Sequence, residues 1–105
     1  MASRAVIIGA GNVGRGFLGQ LFSESGYDVV FVDLDRPLIE ALRARGAYTV
    51  RLVDNAGLEE VRVAPVTGLL SSDGDAVAEA IASATLAATA VGARPGGVAG
   101  IHWLP

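Results

Sequence analysis

Six residues near the start of the chain, Gly9-Ala10-Gly11-Asn12-Val13-Gly14, follow the spacing G-x-G-x-x-G. That spacing suits a backbone that must turn sharply and admit a phosphate. Gly9 permits a tight turn from strand to helix, Gly11 leaves no Cβ between the main chain and a pyrophosphate, and Gly14 lets the helix lie close to the strand. Main-chain N–H groups around Asn12 and Val13 would meet phosphate oxygens at the positive end of that helix. In a chain with 14 glycines the motif alone is weak. Asp33 strengthens it: this acid ends the next apolar run about 20 residues further on, where a carboxylate accepts hydrogen bonds from the adenine ribose hydroxyls. A 2′-phosphate there would meet like charge, worth about 4 kcal/mol per pair at an effective dielectric of about 20. The pattern implies NAD(H) in preference to NADP, with Arg36 close enough in sequence to soften the repulsion. The competing reading is a tight turn and helix cap that bind nothing.

Arg15 follows the loop and has two readings, a contact to a phosphate or a solvated arginine in a first helical turn. Gly16 is expected to pack closely on a strand. Thr89-Ala90-Val91-Gly92 should end a strand lying beside the first one, where strand order reverses and a cofactor crevice forms, so Val91 and Gly92 join the candidate cofactor residues. His102 and Trp103 fall in a patternless tail and are expected to be exposed. Glu59-Glu60 lies beside a turn and Asp73 with Asp75 in a helix cap, so neither pair is assigned chemistry.

Composition narrows the chemistry further. The 105 residues suit one domain, and all 8 basic residues are Arg. Without lysine there is no Schiff base, lysine general base or P-loop lysine. With no cysteine and one histidine, disulfides, thiolate nucleophiles and metal sites are not expected. A net charge of −3 and a pI near 4.9 give no footprint for nucleic acid or anionic lipid. Hydrophobic content of 51% and a mean hydropathy of +0.48 argue against disorder and toward buried parallel strands. The apolar stretch after Arg4 is too short for a signal peptide, and residues 80–93 fall short of the ~20 needed to cross a bilayer. A cytoplasmic location with no membrane partner is expected.

The elements that must position these residues alternate. Arg4-Ala5-Val6-Ile7-Ile8 reads as a strand buried on both faces, and Val13, Phe17, Leu18, Leu21 and Phe22 form a helical stripe over 12–25 that ends near Gly26. Asp28 to Asp33 reads as a second strand. Asp35 is then an N-cap and Pro37 a first-turn proline for a helix through Arg43 and Arg45 to Gly46. Strands are expected over 48–53 and 60–66 with a turn at Asn55-Ala56-Gly57, a helix over 76–83 behind the cap Ser71 to Asp75, and a strand over 86–91. The run 93–100 has no usable period.

The string Gly9-Ala10-Gly11-Asn12-Val13-Gly14-Arg15-Gly16-Phe17, followed by Phe31-Val32-Asp33, Tyr48-Thr49-Val50 and Thr89-Ala90-Val91-Gly92, resembles the N-terminal domain of the mannitol-1-phosphate 5-dehydrogenases, in the mannitol dehydrogenase family. The resemblance spans about residues 4–92. It implies an α/β, Rossmann-like fold with a mostly parallel sheet and flanking helices, here incomplete. It also implies a cytoplasmic NAD-dependent oxidoreductase of mannitol metabolism that interconverts mannitol 1-phosphate and fructose 6-phosphate. The loop role falls on Gly9, Ala10, Gly11, Asn12, Val13 and Gly14, and the ribose-binding role on Asp33. The family's catalytic lysine, with Asn and His, belongs to a following helical domain, so no catalytic residue is assigned here.

On this reading residues 1–92 are an NAD-binding domain and 93–105 an irregular tail in place of the expected continuation. The chain is then a truncated or frameshifted product, inactive alone, and would meet a sugar phosphate only in a full-length parent. Two alternatives stand beside it. One is an NAD-sensing regulatory module without redox chemistry, although such modules usually have one short strand where this chain has two strand-like runs after Gly46. The other is a poorly folding product that self-associates through an exposed sheet edge.

Overall fold

A computed structural model of the protein describes residues 3–11, 14–54, 57–91 and 100–104. Strand β1 (Arg4–Ile8) leads through the glycine loop into a π-helical turn, Gly14–Leu18, that continues as α1 (Gly19–Glu24). Then follow β2 (Asp28–Asp33), α2 (Arg36–Arg45), β3 (Tyr48–Asp54), β4 (Gly57–Val63), β5 (Val66–Leu70), α3 (Gly74–Ser83), β6 (Leu86–Val91) and β7 (Gly100–Leu104). The main sheet has the order β5-β2-β1-β6-β7. Its first four strands are parallel and β7 runs antiparallel to β6. This is the Rossmann-like α/β arrangement that the resemblance implies, built from the alternating strands and helices that the periodicities lead one to expect. Between β2 and β6, β1 sits at the reversal of strand order, where open α/β sheets bind ligands at the strands' carboxyl ends.

The interiors of the central strands β1 and β2 are apolar because both of their faces are covered. Ala5, Ile7, Val29, Phe31, Val66 and Ala88 pack with Leu18 and Phe22 of the first helical segment and with Ile39 and Leu42 of α2. Val6, Val30, Val32 and Ala87 face the other way, toward Ala80, Val77 and Ile81 of α3. Capping fixes where the helices begin. The Asp35 carboxylate accepts from the Leu38 N–H at 3.2 Å, and Asp73 does the same for Ala76 at 3.4 Å. Among the described residues no helix is long and apolar enough to cross a membrane.

Several expectations differ from what is observed. The helix anticipated over 12–25 is described from Gly14 and opens as a π-helical turn; residues 12 and 13 lie outside the described residues. The strand anticipated over 60–66 is two strands in different sheets. β4 pairs with β3 in a separate antiparallel hairpin, Pro65 supplies no N–H to continue that ladder, and β5 begins at Val66 beside β2. Gly16 does not pack on a strand, since a Cβ there would meet nothing within 4 Å; Gly19 is the close-packed glycine, pressed on Phe31 and the Tyr48 hydroxyl. An irregular backbone was expected through 93–105, but residues 100–104 form β7. The backbone of His102 and Trp103 therefore belongs to a strand. Residues 92–99 and 105 lie outside the described residues, as does most of the expected turn at 55–57.

Candidate nucleotide-binding site

The glycine loop leaves the carboxyl end of β1, and its geometry explains two of its glycines. Gly9 has φ +109, and a Cβ there would run into the Ala90 carbonyl of the neighbouring β6. At Gly14 a Cβ would run into the Gly9 carbonyl, so the helix start rests directly on the turn. Gly11 is exposed, and a Cβ there would enter open space. At Gly11 the turn thus leaves its main chain unobstructed. That is the shape a pyrophosphate needs, and it fits the dinucleotide reading of the motif.

Asp33 is brought against this loop by the parallel register of β1 and β2, in which Ile8 lies opposite Val32. The Gly9 N–H donates to the Val32 carbonyl at 2.7 Å, and the Ala10 N–H donates to Asp33 Oδ2 at 2.7 Å. Asp33 Oδ1 accepts from the Asp35 N–H at 3.0 Å. Partial burial pushes the Asp33 carboxyl up. The main-chain N–H groups of Ala10, Asp35 and Leu34, with the nearby Arg15 charge, outweigh that effect and hold it below the ordinary carboxylate range. Asp33 is therefore an anion at neutral pH, each oxygen already oriented by one main-chain donor.

Arg15 does not extend freely into solvent. Its Nε donates to the Ala10 carbonyl at 2.7 Å and its main-chain N–H donates to the Gly11 carbonyl at 2.9 Å. Its own carbonyl accepts from the Tyr48 hydroxyl at 2.7 Å. Tyr48, at the start of the β3–β4 hairpin, stands edge-on to Phe31 with ring centroids 5.8 Å apart. Burial pushes the Tyr48 phenol up, which keeps it a neutral donor. Sequence reasoning missed Tyr48. Its only trace in the sequence is a polar-tipped ring opening a strand, and such a ring when buried requires a hydrogen-bond partner.

The structure thus gathers Gly9, Ala10, Gly11, Gly14 and Asp33 at the carboxyl end of the sheet, next to the end of β6. The Val91 main chain continues β6 there and pairs with Gly100, while Asn12, Val13 and Gly92 lie outside the described residues. The acids given no chemistry have structural surroundings: Asp73 caps α3, and Glu60 lies 3.8 Å from Arg51 across the hairpin, both largely exposed.

The family described as "Mannitol dehydrogenase Rossmann domain" matches residues 3–101. A protein of Geobacillus thermodenitrificans named mannitol-1-phosphate 5-dehydrogenase is 51% identical over 90 residues, which are 85% of this chain and 23% of that protein. Proteins of the same name from Exiguobacterium sibiricum and Bacillus pumilus are 50% identical over 91 residues and 48% identical over 90; each alignment covers 85% of this chain, with 23% and 24% of the relatives. The chain spans about a quarter of the length of these curated relatives.

Proposed function

This chain belongs to the mannitol dehydrogenase family, and on that footing we propose that it is the NAD-binding part of an oxidoreductase that interconverts mannitol 1-phosphate and fructose 6-phosphate. The observation that carries the reading is the Ala10 N–H on Asp33 Oδ2, which puts the glycine turn and the acid in one site at the switch point of the sheet. Gly9, Ala10, Gly11 and Gly14 would hold the pyrophosphate, with Asn12 and Val13 as their sequence neighbours. Asp33 would receive the adenine ribose, while Val91 and Gly92 would border the crevice from β6. When bound, NAD supplies the acceptor for the hydride that leaves the polyol.

The residues of this chain bind and orient. The Gly11 main chain leaves room for phosphate, and the Asp33 carboxylate offers its remaining lone pairs to ribose hydroxyls. Its charge disfavours a 2′-phosphate, so NAD is preferred over NADP. The resemblance places the family's catalytic lysine, with Asn and His, in a following helical domain, and these 105 residues contain no lysine. On that resemblance sugar-phosphate binding and proton transfer fall to that part of a full-length parent. A cytoplasmic location, where the chain would meet NAD(H), belongs to the same proposal.

Titrating NADH and NADPH into the 105-residue chain and its Asp33→Ala variant tests the reading. Wild type should bind NADH about tenfold or more tightly than NADPH, and Asp33→Ala should lose that margin. Added fructose 6-phosphate should cause no NADH oxidation. Equal binding of the two nucleotides would defeat the NAD assignment, turnover would defeat the division of labour, and absence of any binding would defeat both.

A further inference from the structure

Among the described residues of the loop, the main-chain carbonyls of Gly9, Ala10 and Gly11 are each engaged within the protein. The Gly9 carbonyl lies against Gly14, the Gly11 carbonyl accepts from the Arg15 main-chain N–H, and the Ala10 carbonyl accepts from Arg15 Nε at 2.7 Å. The first two arrangements are properties of the backbone. The third depends on one side chain. On its other side Ala10 is held through its N–H by Asp33, so the two peptide groups flanking this residue are fixed by oppositely charged side chains. Arg15 is fixed in turn, because the Tyr48 hydroxyl donates to its carbonyl. A hydrogen-bonded series therefore runs from the β3–β4 hairpin through the first helical turn and the glycine loop to the end of β2.

We propose that Arg15 is a positioning residue of the nucleotide site, and that Tyr48 holds Arg15 in place. The inference rests on the nucleotide reading of the glycine loop. A carbonyl oxygen facing a bound pyrophosphate would repel it, whereas an N–H would attract it. By capturing the Ala10 carbonyl, the guanidinium keeps one partial negative charge out of the site before any ligand arrives. Among the described residues Arg15 makes no ion pair, so the hydrogen bond to Ala10 is the anchor of its side chain. A lysine ammonium would keep the charge but lacks the planar guanidinium whose Nε donates to this carbonyl.

The test uses the 105-residue chain as wild type, Arg15→Ala, Arg15→Lys and Tyr48→Phe, with NADH as the probe. Both Arg15 variants should bind NADH about tenfold more weakly, and Tyr48→Phe roughly threefold more weakly, as expected for loss of a charge-assisted and a neutral hydrogen bond respectively. Ethylguanidinium should restore part of the binding to Arg15→Ala and none to Tyr48→Phe. Hydrogen exchange at the Ala10 amide, measured without nucleotide, should quicken by about tenfold in Arg15→Lys. Should Arg15→Ala not fold, Arg15→Lys carries the test alone. NADH affinity in Arg15→Lys within about twofold of wild type overturns the proposal and leaves the nucleotide reading standing. No NADH binding by wild type, with quickened Ala10 exchange in Arg15→Lys, overturns the nucleotide reading while the hold on the loop stands.

Discussion

Asp33 is where the chemistry of single residues matters most, because one carboxylate serves both the loop itself and the proposed ligand. It accepts from Ala10 and Asp35, and these donors keep it ionised below the ordinary carboxylate range. The linked effect on stability has a definite sign. An unfolded aspartate titrates near ~3.9, so Asp33 contributes stability above that value and loses it as the pH falls through its lower folded value. The melting midpoint of wild type should therefore exceed that of Asp33→Asn at neutral pH, and the gap should shrink steadily in acid. A gap that stays constant down to about pH 2 would count against this account. Asp33 was legible in the sequence because an acid at the end of an apolar run has few structural reasons to be there. Tyr48 was not, because its partner, the Arg15 carbonyl, comes from a part of the chain 33 positions away.

At the scale of elements, the join between β1 and the helical segment after it is a contact of backbone on backbone. Gly14 lies against the Gly9 carbonyl with no space for a methyl group, whereas Gly16, one position beyond Arg15, faces open space. Two substitutions of the same kind should then have opposite effects. Gly14→Ala must push the helix away from the turn and should cost about 1–3 kcal/mol, with weakened nucleotide binding. Gly16→Ala adds a better helix former where nothing is struck and should gain up to about 1 kcal/mol. Denaturant midpoints of the two variants decide the matter. A Gly14→Ala midpoint equal to that of wild type would show that the turn tolerates more than its geometry suggests. A Gly16→Ala midpoint lowered as far as that of Gly14→Ala would show that packing does not separate the two positions. Both glycines belong to the same sequence string, and only the packing tells them apart.

At the scale of the whole molecule, the parallel sheet is the common wall of two apolar clusters, and among the described residues Phe31 is the largest fully buried side chain. It supports Tyr48 edge-on and lies under Gly19, so it links the core to the site. Phe31→Ala should cost about 3–5 kcal/mol against a total of about 5–15 for a typical domain, enough to blunt or abolish cooperative urea unfolding. Leu58, 60% exposed on β4, supplies the contrast: Leu58→Ala should change stability by no more than about 0.5 kcal/mol. A Phe31→Ala chain that unfolds as cooperatively as wild type and at the same midpoint would place the main core elsewhere.

The sequence by itself determined the alternation of strands and helices, the cap at Asp35 and the capping cluster Ser71 to Asp75, and the coincidence of the glycine spacing with Asp33. The first two are local signals, set by residues within a turn or a strand of one another, and the third is a fixed spacing along the chain, across the first helical segment and β2. Only the tertiary structure decided the rest. It split the run 60–66 between two sheets and paired β7 with β6. It also separated Gly16 from Gly19 by what each one touches, and turned Arg15 inward onto Ala10. The first three depend on which distant segment lies alongside, and neither periodicity nor propensity encodes that neighbour until the sheet has assembled. The fourth depends on how the glycine loop folds back on the helix start and presents the Ala10 carbonyl to Arg15.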